Sequence, residues 1–323
     1  MNAVTSETLS PEAIETTRAE VRRIIAEEGI AQTEIARQAD IAYGTFTPWM
    51  TNKYAGDSAK IAVKVTRWLE TRRERARTLA VLPAAPGFVM TSTAASFMET
   101  LAFSQATPDF GVIVGGAGVG KTTTIEEYQR RASNVTIVTG EPCHSSPNNM
   151  LTAIATEMGI AERRSNMISG AIVARLRGAS ALLVIDEAQH LDSKALDQLR
   201  TIHDKAKCGV VVAGNESVFA RLQGDARTAQ FAQLYSRVGA RTVQSQSRPK
   251  DICALILAWG IDGESDEGKL LKVIARKPGA LRGMTKAIRY ASMIANGAGE
   301  PLACRHIKQA WAQLSSLPLD DAA

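Results

Sequence analysis

The residues best placed to do chemistry are Gly115-Gly116-Ala117-Gly118-Val119-Gly120-Lys121-Thr122, a match to G-x-x-x-x-G-K-[ST]. The glycines let the backbone come close to a phosphate. Successive N–H groups, with the start of a following helix, then aim positive charge at it. Lys121 would reach the β- and γ-phosphates of ATP, and the Thr122 hydroxyl would ligate Mg²⁺. Thr123, next in line, joins the nucleotide-binding set. The apolar run Phe110–Val114 stands directly before the loop and a helical stretch directly after it, which is the setting this chemistry needs.

A second group is Leu182-Leu183-Val184-Ile185-Asp186-Glu187, an apolar strand ending in adjacent carboxylates. Asp186 would hold the Mg²⁺, and Glu187 would polarise an attacking water. Asp186 to His190 also resembles a helicase box, but no second helicase core follows. A third group is Gly209 to Asn215, a buried strand whose terminal amide would lie near the γ-phosphate or the water; a turn asparagine is the plain alternative.

Positioning these tips requires parallel strands. Phe110–Val114, Val135–Val138, Ala181–Ile185 and Gly209–Ala213 read as strands buried on both faces. Helices are expected near Thr122–Ala132, Asn148–Met158, Met167–Arg177 and Lys194–Ala206. That alternation predicts an α/β parallel sheet. After about Arg248 only helices follow: Asp251–Trp259, Asp266–Arg276, Ala280–Ala295 and Arg305–Leu314. Residues 12 to about 75 also read as helices, and LAVLPAAPG at 79–87 reads as a linker. The expected domains are therefore 1–78 (all-α), 79–90 (linker), 91–247 (α/β core) and 248–323 (basic helical).

Composition is that of a globular protein: 323 residues, 45% hydrophobic and 22% charged. No run is long enough to span a bilayer, and no secretory leader opens the chain, so a cytoplasmic protein is expected. The four cysteines form no C-x-x-C pair, which argues against zinc, iron–sulfur or disulfide frameworks. The net charge of +5 is concentrated in two places. Lys269 to Trp311 holds nine basic residues against Glu300, and Lys60 to Arg77 holds seven against Glu70 and Glu74. Such clusters suit a polyanionic partner.

Together, the phosphate loop, the Asp186–Glu187 strand and the strand ending in Asn215 resemble the AAA+ ATPases. That resemblance implies an arginine reaching into a neighbouring subunit's nucleotide site, with Arg237 the candidate and Arg241 second. It also implies a lid residue on the γ-phosphate, which Arg282 in Lys277-Pro-Gly-Ala-Leu-Arg282 matches. The N-terminal segment resembles a repressor-type helix-turn-helix. Gln32–Ala39 would be its first helix, Asp40-Ile41 its turn and Tyr43–Met50 its second helix. Ile35, Ala36, Ile41, Phe46, Trp49 and Met50 would form its core, and Tyr43, Thr45, Thr47, Asn52 and Lys53 would meet DNA. Pro48 departs from that pattern and should kink or shorten the second helix.

This domain order resembles the transposition protein B family of Mu-like transposable phages. Local strings carry the likeness: Asn52–Asp57, Gly118–Thr122, Val184–Ala188, Phe231–Arg237 and Arg276–Arg282. The resemblance implies an ATPase, stimulated by DNA and transposase, that polymerises on double-stranded target DNA as a helical filament and serves a transposase inside a bacterial host. An AAA+ replication initiator or helicase loader would share the enzyme core. A helix-turn-helix regulator switched by ATP would share the domains.

Overall fold

Ser10 accepts a hydrogen bond from the Ala13 N–H (3.2 Å), and Pro11 takes the first helical position. Helix α1 (Pro11–Glu28) starts there and stops at Gly29, whose φ of +67° ends it in the left-handed region. Helices α2 (Gln32–Gln38), α3 (Tyr43–Met50) and α4 (Ser58–Val81) follow. The computed structural model describes residues 9–217, 238–315 and 319. Its chain divides into two compact units, Met1–Leu82 and Pro83–Ala323.

Among its described residues the first unit contains helices and no strand. Ile35, Ala36, Ile41, Phe46, Trp49 and Met50 are buried, and Val21, Ile24, Val65 and Leu69 from α1 and α4 close the same core. The α2–α3 hairpin is thus held inside a four-helix unit. The Trp49 indole donates to the Ser58 carbonyl (3.1 Å), and the Trp68 indole donates to Gln38 Oε1 (2.9 Å). Pro48 sits inside α3, yet the helix still reaches Met50. The proline removes one N–H, while the Lys53 N–H bonds to the Pro48 carbonyl (2.8 Å) and closes the following turn. Helix α4 continues to Val81, into the stretch read as a linker, because its good helix formers run on unbroken until Pro83.

The second unit is built on a five-stranded sheet in the order β2-β3-β4-β1-β5, with every pair parallel. Its strands are β1 (Phe110–Gly115), β2 (Val135–Thr139), β3 (Leu182–Asp186), β4 (Gly209–Gly214) and β5 (Val238–Gln244). Alternate side chains feed opposite faces. Val112, Leu183, Ile185 and Val212 pack against α7 (Pro147–Glu157), α8 (Ser165–Leu176) and α9 (Ser193–Ala206). Ile113, Val184 and Val211 pack with Phe97 and Leu101 of α5 (Ser92–Ala106) and Ile125 of α6 (Lys121–Arg131).

Two elements were not legible as such in the sequence. Strand β5 is a half-exposed edge strand whose apolar residues are interrupted by Arg241 and Thr242, so no apolar run marks it. Helix α5 is rich in small and hydroxylated residues that fit close against the sheet, as where Ser104 touches Gly111 and Gly209. Among the described residues four helices follow the sheet: α10 (Pro249–Ala258), α11 (Asp266–Ala275), α12 (Ala280–Ala298) and α13 (Cys304–Leu314). They share a separate core of Ile252, Leu271, Met284, Ile288 and Trp311. The fold is an α/β parallel sheet with a C-terminal helical lid, preceded by an all-α region.

Candidate functional site

Parallel strands present all their C-terminal ends on one edge, and there the candidate residues meet. Strand β4 lies between β1 and β3, so Asn215 falls between the phosphate loop and Asp186-Glu187. Ala117 to Thr123, Glu187, Asn215 and Arg282 line one cleft of about 530 Å³.

The loop backbone depends on glycine at two positions. Gly120 has φ +98° and turns the chain into α6. Gly118 has φ +83°, and a Cβ there would lie 2.0 Å from the Gly279 carbonyl oxygen. That contact brings the lid to the loop, where the Arg282 N–H donates to the Gly118 carbonyl (3.3 Å). Lys121 is 9% exposed and donates to the carbonyls of Gly115 (2.8 Å) and Gly116 (3.1 Å). Burial pulls its ammonium below the usual lysine range, Glu187 and Asp186 draw it back up, and Arg282 lowers it further.

The carboxylates are arranged for different tasks. Asp186 is buried; Oδ2 accepts from the Thr122 hydroxyl (2.6 Å) and Oδ1 from the Glu187 N–H (2.9 Å). Glu187 is half-buried, with left-handed backbone (φ +50°) that opens the short turn Ala188–His190. It sits where the strand has ended, facing the cleft.

Other residues of the cleft escaped sequence reasoning. Phe88, Val89, Leu255 and Trp259 give it an apolar end, and Lys286 and Arg289 extend the basic face that Arg282 begins on α12. The 282, 286, 289 spacing is one helix face, a signal available only once α12 was known to face the loop. Gln189 joins the cleft from the turn after Glu187. Arg237 lies outside the described residues, and Arg241 is exposed on β5.

The DNA-contact candidates divide. Tyr43 is 50% exposed, and Asn52 and Lys53 are exposed just beyond α3. Thr45 is half-buried, whereas the Thr47 hydroxyl oxygen is buried without a partner and is not presented outward. Three of the seven basic side chains in the α4 run pair with acids distant in sequence. Lys64 pairs with Asp40, Arg72 with Glu28 and Arg73 with Glu20. Residues 1–82 carry 12 basic against 11 acidic side chains, so this unit is close to neutral.

The chain is similar to known proteins over most of its length. The family model described as "Mu B transposition protein, C terminal" matches residues 236–314, and one described as "AAA domain" matches residues 105–222. The ATP-dependent target DNA activator B of Escherichia phage Mu is 36% identical over 92% of this chain and 94% of its own length. The protein of the same name from Escherichia phage D108 matches equally, at 36% over the same shares. The Mu-like prophage FluMu DNA transposition protein B of Haemophilus influenzae is 32% identical over 82% of this chain and 93% of its own. Among solved structures, a Walker-type ATPase of Pyrococcus abyssi superposes with TM-score 0.47 at 10% identity, over 72% of this chain and 77% of that one. No helix among the described residues is long and apolar enough to cross a membrane. With a nucleotide cleft of the AAA type and full-length relatives above 30% identity, the chain belongs to the transposition protein B family of Mu-like phages.

Proposed function

We propose that this AAA ATPase binds double-stranded target DNA when loaded with ATP, polymerises along it as a helical filament, and delivers it to a transposase. Hydrolysis, stimulated by DNA and by the transposase, would strip the protein from DNA near transposon ends and so confer target immunity. The observation that carries the reading is the single cleft in which Lys121, Glu187, Asn215 and the lid residue Arg282 converge. A lid that touches the phosphate loop at Gly118 is placed to move with nucleotide state.

The chemistry follows from the parts. Backbone N–H groups of the loop and the start of α6 bind the β- and γ-phosphates, and Lys121 and Arg282 neutralise their charge. The hydroxyl of Thr122 and the carboxylate of Asp186 are hard oxygen donors already within 2.6 Å of each other, a pair that suits Mg²⁺. The ion would neutralise charge on the transferring phosphoryl group. Glu187 takes a proton from the attacking water while Asn215 orients it. Arg237, outside the described residues, would complete a neighbour's site.

Electron microscopy of the full chain with plasmid DNA tests the proposal. Filaments should form with ATP and dissolve on hydrolysis, and Glu187→Gln should hold them. A sharp footprint on one operator, without filaments, would instead mark a regulator. Binding to a hexameric helicase would mark a loader.

A further inference from the structure

The turn after β3 carries a bridge whose two ends differ in kind. Gln189 donates from Nε2 to Glu187 Oε2, and its Oε1 accepts from the Asn215 N–H (3.3 Å). A carboxylate can only accept and a backbone N–H can only donate. A side chain linking them must donate from one atom and accept at another, and a carboxamide of this length does both. Isosteric Glu cannot donate, and Ala can do neither. The left-handed Glu187 backbone (φ +50°) and the short turn anchored by buried Ala188 bring residue 189 back beside residue 187. Gln189 engages Oε2 of Glu187, and the attacking water would use the carboxylate's other oxygen.

The geometry points to Gln189 as a positioning residue for water activation, tying the Glu187 carboxylate to the tip of β4. It acts through Glu187, and it rests on the hydrolytic role given to Glu187 above. A glutamate side chain at a half-exposed strand end samples several rotamers. Fixing it against the strand that carries Asn215 holds the proton acceptor and the water-orienting amide in one frame, which is what an attack geometry requires.

The test compares the full-length wild type with Gln189→Ala, Gln189→Glu and Glu187→Gln in steady-state ATP hydrolysis, with and without duplex DNA. Binding of a fluorescent ATP analogue is measured alongside. Both Gln189 variants should lose at least fivefold in kcat, while KM and the analogue Kd stay within twofold of wild type. Gln189→Glu keeps the shape of the side chain, so it carries the test if the alanine variant folds poorly. A kcat loss below fivefold in Gln189→Glu, or a parallel weakening of analogue binding, overturns the assignment. If Glu187→Gln abolishes hydrolysis while the Gln189 variants behave as wild type, this inference alone fails. If Glu187→Gln hydrolyses ATP at the wild-type rate, the underlying role of Glu187 fails with it.

Discussion

The Thr122 hydroxyl and the Asp186 carboxylate meet at 2.6 Å, which joins the first turn of α6 to the tip of β3 across the sheet edge. One residue belongs to the phosphate loop and the other to a strand two positions away in the sheet. Thr122 lines the cleft, and buried Asp186 stands behind it.

Removing either partner should therefore act through the metal. Asp186→Asn should lower Mg²⁺-dependent hydrolysis by about 10²-fold or more, since charge stabilisation at a phosphoryl centre is worth several kcal/mol. Thr122→Ala should raise the Mg²⁺ concentration needed for half-maximal rate. Titrating MgCl₂ at saturating ATP checks both.

Lys121 should give nucleotide binding an alkaline limb. Burial lowers its titration below the ordinary lysine value in the free protein, and phosphate binds the charged form. Affinity is then full at low pH and falls as pH rises through that lowered value, by at most about tenfold per unit. Lys121→Ala should bind weakly at every pH, losing about 1.5–3 kcal/mol, with no such limb. Equilibrium binding of an ATP analogue from pH 7.5 to 10 decides it.

Gly118→Ala should damage the joint between loop and lid. The added methyl group would need the space of the Gly279 carbonyl, and the backbone stands at φ +83°. A strain of about 1–3 kcal/mol should lower the melting temperature by at least about 2 °C and weaken ATP binding. Differential scanning fluorimetry with and without ATP would show the loss of nucleotide stabilisation.

DNA binding should divide unevenly between the units. Residues 1–82 are nearly neutral overall, whereas Lys269 to Trp311 holds nine basic residues against one acid. A fragment from residue 83 to the end should bind duplex DNA in an ATP-dependent way. Its affinity should fall steeply with salt, by a log–log slope of about −0.9 per phosphate contact, and barely vary between two unrelated sequences. The first 82 residues should add affinity that does not depend on nucleotide. Strong, sequence-selective binding by the first unit, with none by the second, would refute this division.

The amino-acid sequence by itself determined the phosphate loop, the buried strands β1, β3 and β4 and the adjacent carboxylates of β3. In each, the chemistry lies in contiguous residues, and burial on both strand faces leaves an unbroken apolar run. The α2–α3 hairpin was legible for the same reason, down to its six core residues. The strand expected at Val135–Val138 also forms, but as the half-exposed edge strand β2 rather than one buried on both faces. What only the tertiary structure decided lies between elements far apart in the chain. Buried Asp251 of α10 accepts from the Ser92 N–H (2.7 Å) and hydroxyl (2.8 Å), pinning the lid to the start of α5. The apolar end of the cleft comes from Phe88, Leu255 and Trp259, three ordinary hydrophobic residues until folding gathers them. Lys64, Arg72 and Arg73 of α4 looked free in sequence because their partners lie elsewhere, Glu20 and Glu28 on α1 and Asp40 in the turn after α2. Local spacing records which groups one segment can present, whereas long-range packing sets which of them are neutralised, buried or brought to the same ligand.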